Sequence, residues 1–137
     1  VGANRAIKDL NYFIDEVMYN EGLSEAETVL LGFSQGTMIG LHLAIRRDNS
    51  FASLVGFSGR LLRPDLVQEE KKNSLPILLL HGDQDDVVPF ASLTEASNVL
   101  RTNGFNVDEF IMEGTGHGIS PEGLEECLRF INNQLVF

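Results

Sequence analysis

The feature that most constrains the fold of this chain is the regular alternation of short apolar runs with longer helical patterns. Apolar runs of six or seven residues lie at 28–33, 51–57 and 76–81, and the next strand is predicted at 107–112. Runs this short favour strands over helices, and their nearly continuous apolar character is typical of strands buried on both faces of a parallel sheet. Because parallel strands are joined by right-handed crossovers, usually through a helix, the alternation predicts βαβ units. We therefore expect an α/β fold, in which flanking helices cover a parallel sheet of about four strands in sequence order.

Helical patterns fill most of the segments between these runs. They lie at 4–20, at 35–47, at 89–103 and from Ser120 onward. The second of them is apolar on most sides, which predicts a helix packed deeply against the sheet. Gly22 and Gly104 follow two of the patterns in the position that ends a helix. The remaining connection, 60–73, is a polar stretch.

The composition indicates one domain and argues against several functions. The 137 residues carry 20 acidic and 10 basic side chains, for a formal net charge of −10. Since no cluster of lysines or arginines is present, we expect no binding to nucleic acid or to an anionic membrane surface. The single cysteine, Cys127, has no partner for an internal disulfide, which favours a reducing compartment. We expect a single domain over residues 1–137, without a signal peptide or membrane span, in the cytoplasm.

The segment with the clearest chemical meaning is Gly32-Phe-Ser-Gln-Gly36. It matches the GxSxG pattern of a nucleophile elbow, in which a serine flanked by small residues occupies a sharp turn between a strand and a helix. The segment lies between the predicted strand at 28–33 and the predicted helix at 35–47, which is the context that the pattern requires. We therefore expect Ser34 to be a nucleophile, with its hydroxyl raised above the carboxyl end of the sheet.

A serine nucleophile needs a base, and the base needs a carboxylate that orients it. The segment after the third predicted strand offers three carboxylates, Asp83, Asp85 and Asp86, of which we select Asp85. His117 follows the fourth predicted strand, and glycines on both sides leave the loop free to turn the imidazole towards the serine. The order Ser34, Asp85, His117 is that of the α/β-hydrolases.

Four motifs together resemble the phospholipase/carboxylesterase family of α/β-hydrolases, which includes small bacterial carboxylesterases and the acyl-protein thioesterases. The family's GFSQGG elbow, SG-x-L loop, HG-x-x-D-x-VVP segment and GHxI segment correspond to residues 32–37, 58–61, 81–89 and 116–119. The resemblance covers essentially the whole chain and implies that Asp85 is the catalytic acid and His117 the general base. Thr37 replaces the second glycine of the elbow, where we expect it to crowd the first helical turn without affecting the triad.

The resemblance also implies a segment that this sequence does not contain. Members of the family carry several strands before the first helix, with an HG-x-G loop that donates one N–H of the oxyanion hole. The backbone N–H of Gln35, directly after the serine, is the other expected donor. We therefore interpret the chain as the C-terminal part of an α/β-hydrolase fold with half of its oxyanion hole. We expect the open apolar edge of the first strand to pair with a second copy of the chain or with the missing N-terminal segment.

The acidic run 83–86 superficially resembles a calcium loop. An EF-hand requires glycine at its sixth position and glutamate at its twelfth, where this sequence has Val88 and Thr94. We therefore expect no metal site. We also expect no cofactor, because a serine, a histidine and a carboxylate supply the nucleophile and the proton transfer themselves.

The remaining candidate residues have structural interpretations. His42 and His81 are expected to be satisfied by their neighbours in the fold. Cys127 is expected to be a packed small hydrophobe, with a reactive thiol as the alternative. Three apolar residues either line an acyl pocket or pack in the core: Phe57, Leu61 and Leu62.

These observations favour a serine esterase that hydrolyses carboxylic or thio esters through an acyl-enzyme. Its partner is a small-molecule or lipid ester, and short-chain esters, lysophospholipids and acylated proteins all remain open. The alternative is a truncated hydrolase that keeps the triad but serves as an oligomer-forming or structural module. A dienelactone hydrolase is disfavoured because the elbow carries serine rather than cysteine.

Overall fold

A computed structural model describes residues 2–135 as alternating helices and strands. The strands are β1 (Val29–Phe33), β2 (Ser53–Phe57), β3 (Ile77–Gly82) and β4 (Val107–Met112). The helices are α1 (Gly2–Glu21), α2 (Gln35–Ala44), α3 (Val67–Glu70), α4 (Ala91–Thr102) and α5 (Pro121–Gln134). Short 3₁₀ helices lie at Glu25–Glu27 and Pro64–Leu66.

The four strands form one parallel sheet in the order β1-β2-β3-β4. The register sets Phe33 opposite Phe57, Phe57 opposite Leu80, and Leu80 opposite Phe110. The carboxyl ends of all four strands therefore lie at the same edge of the sheet. The predicted α/β class and the strand order are both confirmed.

Helices cover the sheet on two faces, and each face has its own apolar cluster. On one face, residues of α1, α2 and α4, such as Ile14, Leu41 and Leu100, pack with Leu54 and Leu79 of the strands. On the other face, α5 packs against the alternate strand residues, and the buried members of this cluster are Val55, Phe57, Leu78, Leu80, Met112, Cys127 and Phe130. Burial on both faces accounts for the apolar character of β2 and β3, in which every residue is buried.

The two-sided burial expected for the first strand is wrong. β1 is an edge strand, and Leu31 and Phe33 have 55% and 39% of their surface exposed. Leu31 is in register with Val55, so it points to the face that α5 covers, but α5 packs over β2, β3 and β4. Within residues 2–135 no strand pairs with the outer edge of β1.

Two segments differ most from their predictions, the end of α2 and the connection at 60–73. α2 ends at Ala44 rather than at residue 47, and the carbonyl of His42 near its end accepts a hydrogen bond from Arg46 Nη1 at 2.8 Å. The polar connection at 60–73 contains one 3₁₀ turn and the short α3, which begins with buried Val67. Gly22 and Gly104 end α1 and α4 with φ of 67° and 88°, as expected for glycines in this position.

β1 and the start of α2 approach each other very closely at Gly32. A Cβ atom at this position would lie 2.6 Å from the backbone nitrogen of Thr37 and 2.7 Å from the carbonyl carbon of Gly36. Both atoms belong to the backbone of α2, so a side chain could be accommodated only if the helix moved. Glycine is therefore required for the geometry of the elbow.

We expect Gly32→Ala to lower the free energy of unfolding by about 1–3 kcal/mol, the usual cost of overpacking. Gly40→Ala is the matched control, because a Cβ there would lie 3.8 Å from Leu54 Cδ1, an ordinary van der Waals contact. Since Gly40 lies inside α2, this control should be neutral or stabilising by up to about 1 kcal/mol. Urea unfolding of the two variants measures the difference, and equal free energies would contradict the close approach.

Candidate active site

Ser34 lies on the sharp turn between β1 and α2. Its φ of 55° and ψ of −116° fall in a region that residues with a side chain rarely occupy. The Ser34 N–H donates to the carbonyl of Phe57 on β2 at 2.8 Å, which ties the strained residue to the neighbouring strand. The turn has the geometry of a nucleophile elbow, with the serine at the carboxyl edge of the sheet.

His117 lies between Ser34 and Asp85 and is hydrogen-bonded to both. Its Nε2 is 3.0 Å from Ser34 Oγ, and its Nδ1 is 2.8 Å from Asp85 Oδ2. An ionised carboxylate only accepts hydrogen bonds, so the proton of the neutral ring belongs on Nδ1. Nε2 is then free to accept the serine proton. The structure thus brings together the three residues selected from the sequence.

The carboxylate of Asp85 is fully buried, with 0% of its side chain exposed. Its Oδ1 accepts hydrogen bonds from the backbone N–H groups of Val87 and Val88, both at 2.8 Å. Burial raises the pKa of Asp85, but the hydrogen bonds from His117, Val88 and Val87 outweigh burial and hold the pKa below its usual value. Asp85 is therefore an ionised group at neutral pH.

His81, the first residue of the motif that carries Asp85, also contacts this carboxylate. Its ring Nε2 lies 2.9 Å from the carbonyl oxygen of Val88 and 3.3 Å from Asp85 Oδ2. The His81 ring thus has a hydrogen-bond partner, the carbonyl of Val88, as expected for a structural histidine. Its contact with Asp85 was not expected, although the spacing of four residues between the two was visible in the sequence.

The two loops that carry Asp85 and His117 are joined by direct contacts. Asp83 Oδ1 accepts from the N–H of Gly114 at 2.9 Å, and the N–H of Gln84 donates to the carbonyl of Thr115 at 3.0 Å. A Cβ at Gly82 would clash with the carbonyl oxygens of Thr115 and Gly116. Asp83 therefore ties the two loops together, a role that sequence reasoning did not assign to it.

Thr37 is accommodated without crowding the first turn of α2, which is regular helix from Gln35 onward. The Thr37 side chain is buried, and its hydroxyl donates to the carbonyl of Phe57 at 2.8 Å. Its methyl group occupies space that is free because residues 56 and 59 are glycines. A Cβ atom would lie 2.5 Å from Thr37 Cγ2 at Gly56 and 2.6 Å from it at Gly59. The expectation of crowding is wrong because these two glycines leave room.

The three candidate catalytic residues each have an exposed apolar side chain nearby in the sequence. Phe33 precedes Ser34, Val87 is two residues after Asp85, and Ile119 is two residues after His117. All three are exposed, and the Phe33 ring lies 4.9 Å from the His117 ring between centroids. Of the candidate acyl-pocket residues, Phe57 is buried in the α5 cluster, which favours its interpretation as core.

Two other residues named from the sequence lie away from this site. Cys127 is buried in the α5 cluster, and burial raises the pKa of its thiol, which disfavours the reactive thiolate. The expectation that neighbours satisfy the His42 ring is wrong, because its Nδ1 is buried without a hydrogen-bond partner among the described residues. Burial, together with the charge of Arg46, lowers the pKa of His42.

The described residues contain neither a group of metal-ligating side chains nor a membrane-spanning helix. Across residues 2–135, no three side chains of His, Cys, Asp or Glu are grouped so that they could hold a metal ion. None of the helices in that range is both long and apolar enough to cross a bilayer.

Comparison with known proteins places these observations in a family. The sequence profile of the phospholipase/carboxylesterase family matches residues 2–135. The chain belongs to the phospholipase/carboxylesterase family. Acyl-protein thioesterase 1 of Kluyveromyces lactis is 27% identical over 141 residues, covering 98% of this chain and 61% of the relative. Esterase YpfH of Escherichia coli is 31% identical over 120 residues, covering 85% of this chain and 50% of the relative.

Solved structures agree with this assignment to the phospholipase/carboxylesterase family. The crystal structure of esterase PE8 matches with a TM-score of 0.95 and 34% identity, covering 98% of this chain and 62% of that one. SOBER1 of Arabidopsis thaliana matches with a TM-score of 0.88 but 23% identity, which supports the fold alone. The chain spans about 50% to 61% of the length of the curated relatives that it matches.

The lowered pKa of Asp85 predicts how the stability of the protein depends on pH. The pKa of Asp85 is lower in the folded chain than in the unfolded chain, where it is about 3.9. Its stabilising contribution is therefore present above the unfolded value and is lost as the pH falls through the folded value. Asp85→Asn should have a lower free energy of unfolding than the unmodified chain at pH 7, and this gap in free energy should narrow below about pH 4. Urea unfolding from pH 7 to pH 3 tests this, and a gap that does not change with pH would contradict it.

Proposed function

We propose that this chain carries the catalytic machinery of a serine esterase that hydrolyses carboxylic or thio esters through an acyl-enzyme. The observation that carries the proposal is the hydrogen-bonded series from Ser34 Oγ through His117 to the buried carboxylate of Asp85. The family and the relatives named as esterases and thioesterases support the same class of reaction.

The proposed reaction has two halves. Ser34 Oγ attacks the carbonyl carbon of the ester while its proton passes to His117 Nε2, and Asp85 stabilises the imidazolium that forms. His117 then returns the proton to the departing alcohol or thiol, which leaves the acyl group on Ser34. In the second half, water attacks the acyl-enzyme with the same proton transfers, so that the acid and free Ser34 are released. We propose that no cofactor takes part, because these residues supply the nucleophile and the proton transfer.

The turn at Ser34 also provides one donor for the negative charge that develops on the carbonyl oxygen. Gln35 is the first residue of α2, where the backbone N–H has no carbonyl partner within the helix. We propose that this N–H binds the oxyanion, with further stabilisation from the positive end of the helix dipole.

We propose that the substrate is a small-molecule or lipid ester with an apolar part. The support is the exposed apolar side chains of Phe33, Val87 and Ile119, which adjoin the three candidate catalytic residues in the sequence. Exposed apolar side chains grouped near reactive residues are typical of ligand-binding surfaces.

We propose that the protein acts in the cytoplasm and binds no nucleic acid. The net charge of −10 would repel a phosphate backbone rather than attract it. The single cysteine is buried and has no partner for an internal disulfide, which fits a reducing compartment.

We further propose that another strand pairs with the outer edge of β1. The support is the edge position of β1 and the exposure of Leu31 and Phe33, since native proteins seldom leave an apolar edge bare. That strand comes either from preceding polypeptide in a longer gene product or from a second copy of this chain. Preceding polypeptide would also supply the second oxyanion donor, and without that donor the chain would serve as a folded module with weak activity.

Single substitutions in the three residues test the mechanism. We expect Ser34→Ala and His117→Ala each to reduce the turnover of a p-nitrophenyl ester to background, because the residues act as a unit. Asp85→Asn should leave somewhat more activity, since the geometry of the base is only partly lost. Steady-state kinetics on the purified variants provides the measurement.

Asp86→Asn is the matched control for the acid, because Asp86 is exposed and adjacent in sequence. We expect this variant to keep the activity of the unmodified chain. If Asp86→Asn were crippling and Asp85→Asn were not, the assignment of the acid would be wrong. Full activity of Ser34→Ala would eliminate the mechanism.

The open edge of β1 predicts the behaviour of the chain alone. With one oxyanion donor, the turnover should be about 10²- to 10³-fold below that of a form with both donors. The chain alone should also self-associate, since its apolar edge has no partner. The mass in solution and ester turnover should be measured for the chain alone and with any preceding polypeptide of its gene product included. A stable monomer whose activity does not increase in the longer form would contradict the proposal.

A further inference from the structure

We propose that His81 is a positioning residue, which holds the Asp85 carboxylate in the orientation that His117 requires. The inference deepens the proposed function and rests on it, because the orientation of Asp85 matters for turnover only if the three residues form a catalytic triad. His81, the first residue of the HG-x-x-D segment, would then have a role beyond packing.

The contacts around Asp85 form a closed ring that includes His81. His81 Nε2 is 2.9 Å from the carbonyl oxygen of Val88, and the N–H of the same Val88 donates to Asp85 Oδ1 at 2.8 Å. Asp85 Oδ2 in turn lies 3.3 Å from His81 Nε2. Because a carbonyl oxygen only accepts, His81 Nε2 must carry a proton, and its N–H points at Val88 with Oδ2 beside it. The histidine therefore constrains both oxygens of the carboxylate, one directly and one through Val88.

The His81 ring completes the immediate surroundings of the buried carboxylate. The N–H groups of Val87 and Val88 donate to Oδ1, and His117 Nδ1 donates to Oδ2. The His81 ring, whose single N–H is directed at the carbonyl of Val88, packs 3.3 Å from Oδ2. Without His81, the carbonyl of Val88 would lose its donor in a buried position, and Oδ2 would lose the ring that packs beside it. A buried carboxylate with fewer fixed neighbours has more freedom to rotate away from His117.

His81 is well placed to be a rigid support. It lies within β3 in register with Ile111 of β4, and only 2% of its side chain is exposed. The Phe90 ring packs edge-on against it, with 6.0 Å between the ring centroids. The sheet thus holds the His81 side chain in place, and His81 in turn limits the movement of the Asp85 carboxylate, which belongs to a loop.

Two variants of His81 separate the hydrogen bond from the shape of the ring. His81→Phe removes the ring N–H. We expect this variant to lower kcat by about 10- to 100-fold, because a catalytic group displaced by about 1 Å costs up to about 100-fold in rate. KM should change by less than about twofold. His81→Gln keeps a terminal N–H at similar reach and should recover most of the lost kcat. His42→Phe is the matched control, because His42 lies at the far end of α2 and belongs to no part of the site. It should leave kcat unchanged, and thermal unfolding of all three variants shows whether each is folded.

A double-mutant cycle then asks whether His81 acts through Asp85. In the Asp85→Asn background, His81→Phe should change kcat by less than about twofold, because there is no carboxylate left to position. An equal loss of kcat in both backgrounds would overturn the proposal, since a purely structural residue would act independently of Asp85. The proposal would also be overturned if the kcat of His81→Gln were no higher than that of His81→Phe.

Proton NMR provides a readout that does not depend on turnover. The His117 Nδ1 proton, in a short hydrogen bond to a carboxylate, should resonate far downfield, and His81→Phe should shift or broaden this signal while His42→Phe leaves it unchanged. An unaltered signal in His81→Phe would overturn the positioning role. If the unmodified chain shows no turnover, the proposed function fails, and the NMR comparison alone then decides the role of His81.

Discussion

The parallel pairing of β1, β2, β3 and β4 is the constraint on which the candidate site depends. Parallel strands bring all of their carboxyl ends to one edge, so the loops that follow β1, β3 and β4 meet there although they are far apart in the sequence. The hydrogen bond between His117 and Ser34 joins residues that are 83 positions apart in the chain. In an antiparallel sheet with the same strand order, His117 after β4 would lie at the opposite edge from Ser34 and Asp85.

The sheet also supports two energetically unfavourable features of the site. Ser34 adopts a strained backbone conformation, and a hydrogen bond to β2 together with the glycines around the elbow makes this conformation accessible. The Asp85 carboxylate is buried away from solvent, and three donors, the N–H groups of Val87 and Val88 and His117 Nδ1, compensate for its burial. Both features lie at the carboxyl ends of paired strands, and β2 and β3, which contact them, are buried throughout.

Much of this structure could be predicted from the sequence because the signals are local. The alternation of strand and helix patterns predicted β2, β3 and β4 to within two residues at each end, and GxSxG predicted the position of the elbow. The exposure of β1 could not be predicted, because an apolar run shows what a strand can bury and not whether another element covers it. The contact of His81 with Asp85 depends on how one loop folds back on its strand, and that of Asp83 with Gly114 on how two loops meet. Composition and spacing determine neither.

In the proposed mechanism His117, oriented by Asp85, activates Ser34 as a nucleophile. The most direct measurement is the rate at which a fluorophosphonate modifies the chain, with the modified residue identified by peptide mass spectrometry. Such a reagent bonds to an activated serine and needs no turnover, so it reports on the nucleophile even when the second half of the reaction is slow. We expect modification at Ser34 that disappears in His117→Ala and is slowed in Asp85→Asn. Modification at another serine, or at an equal rate in His117→Ala, would contradict this mechanism.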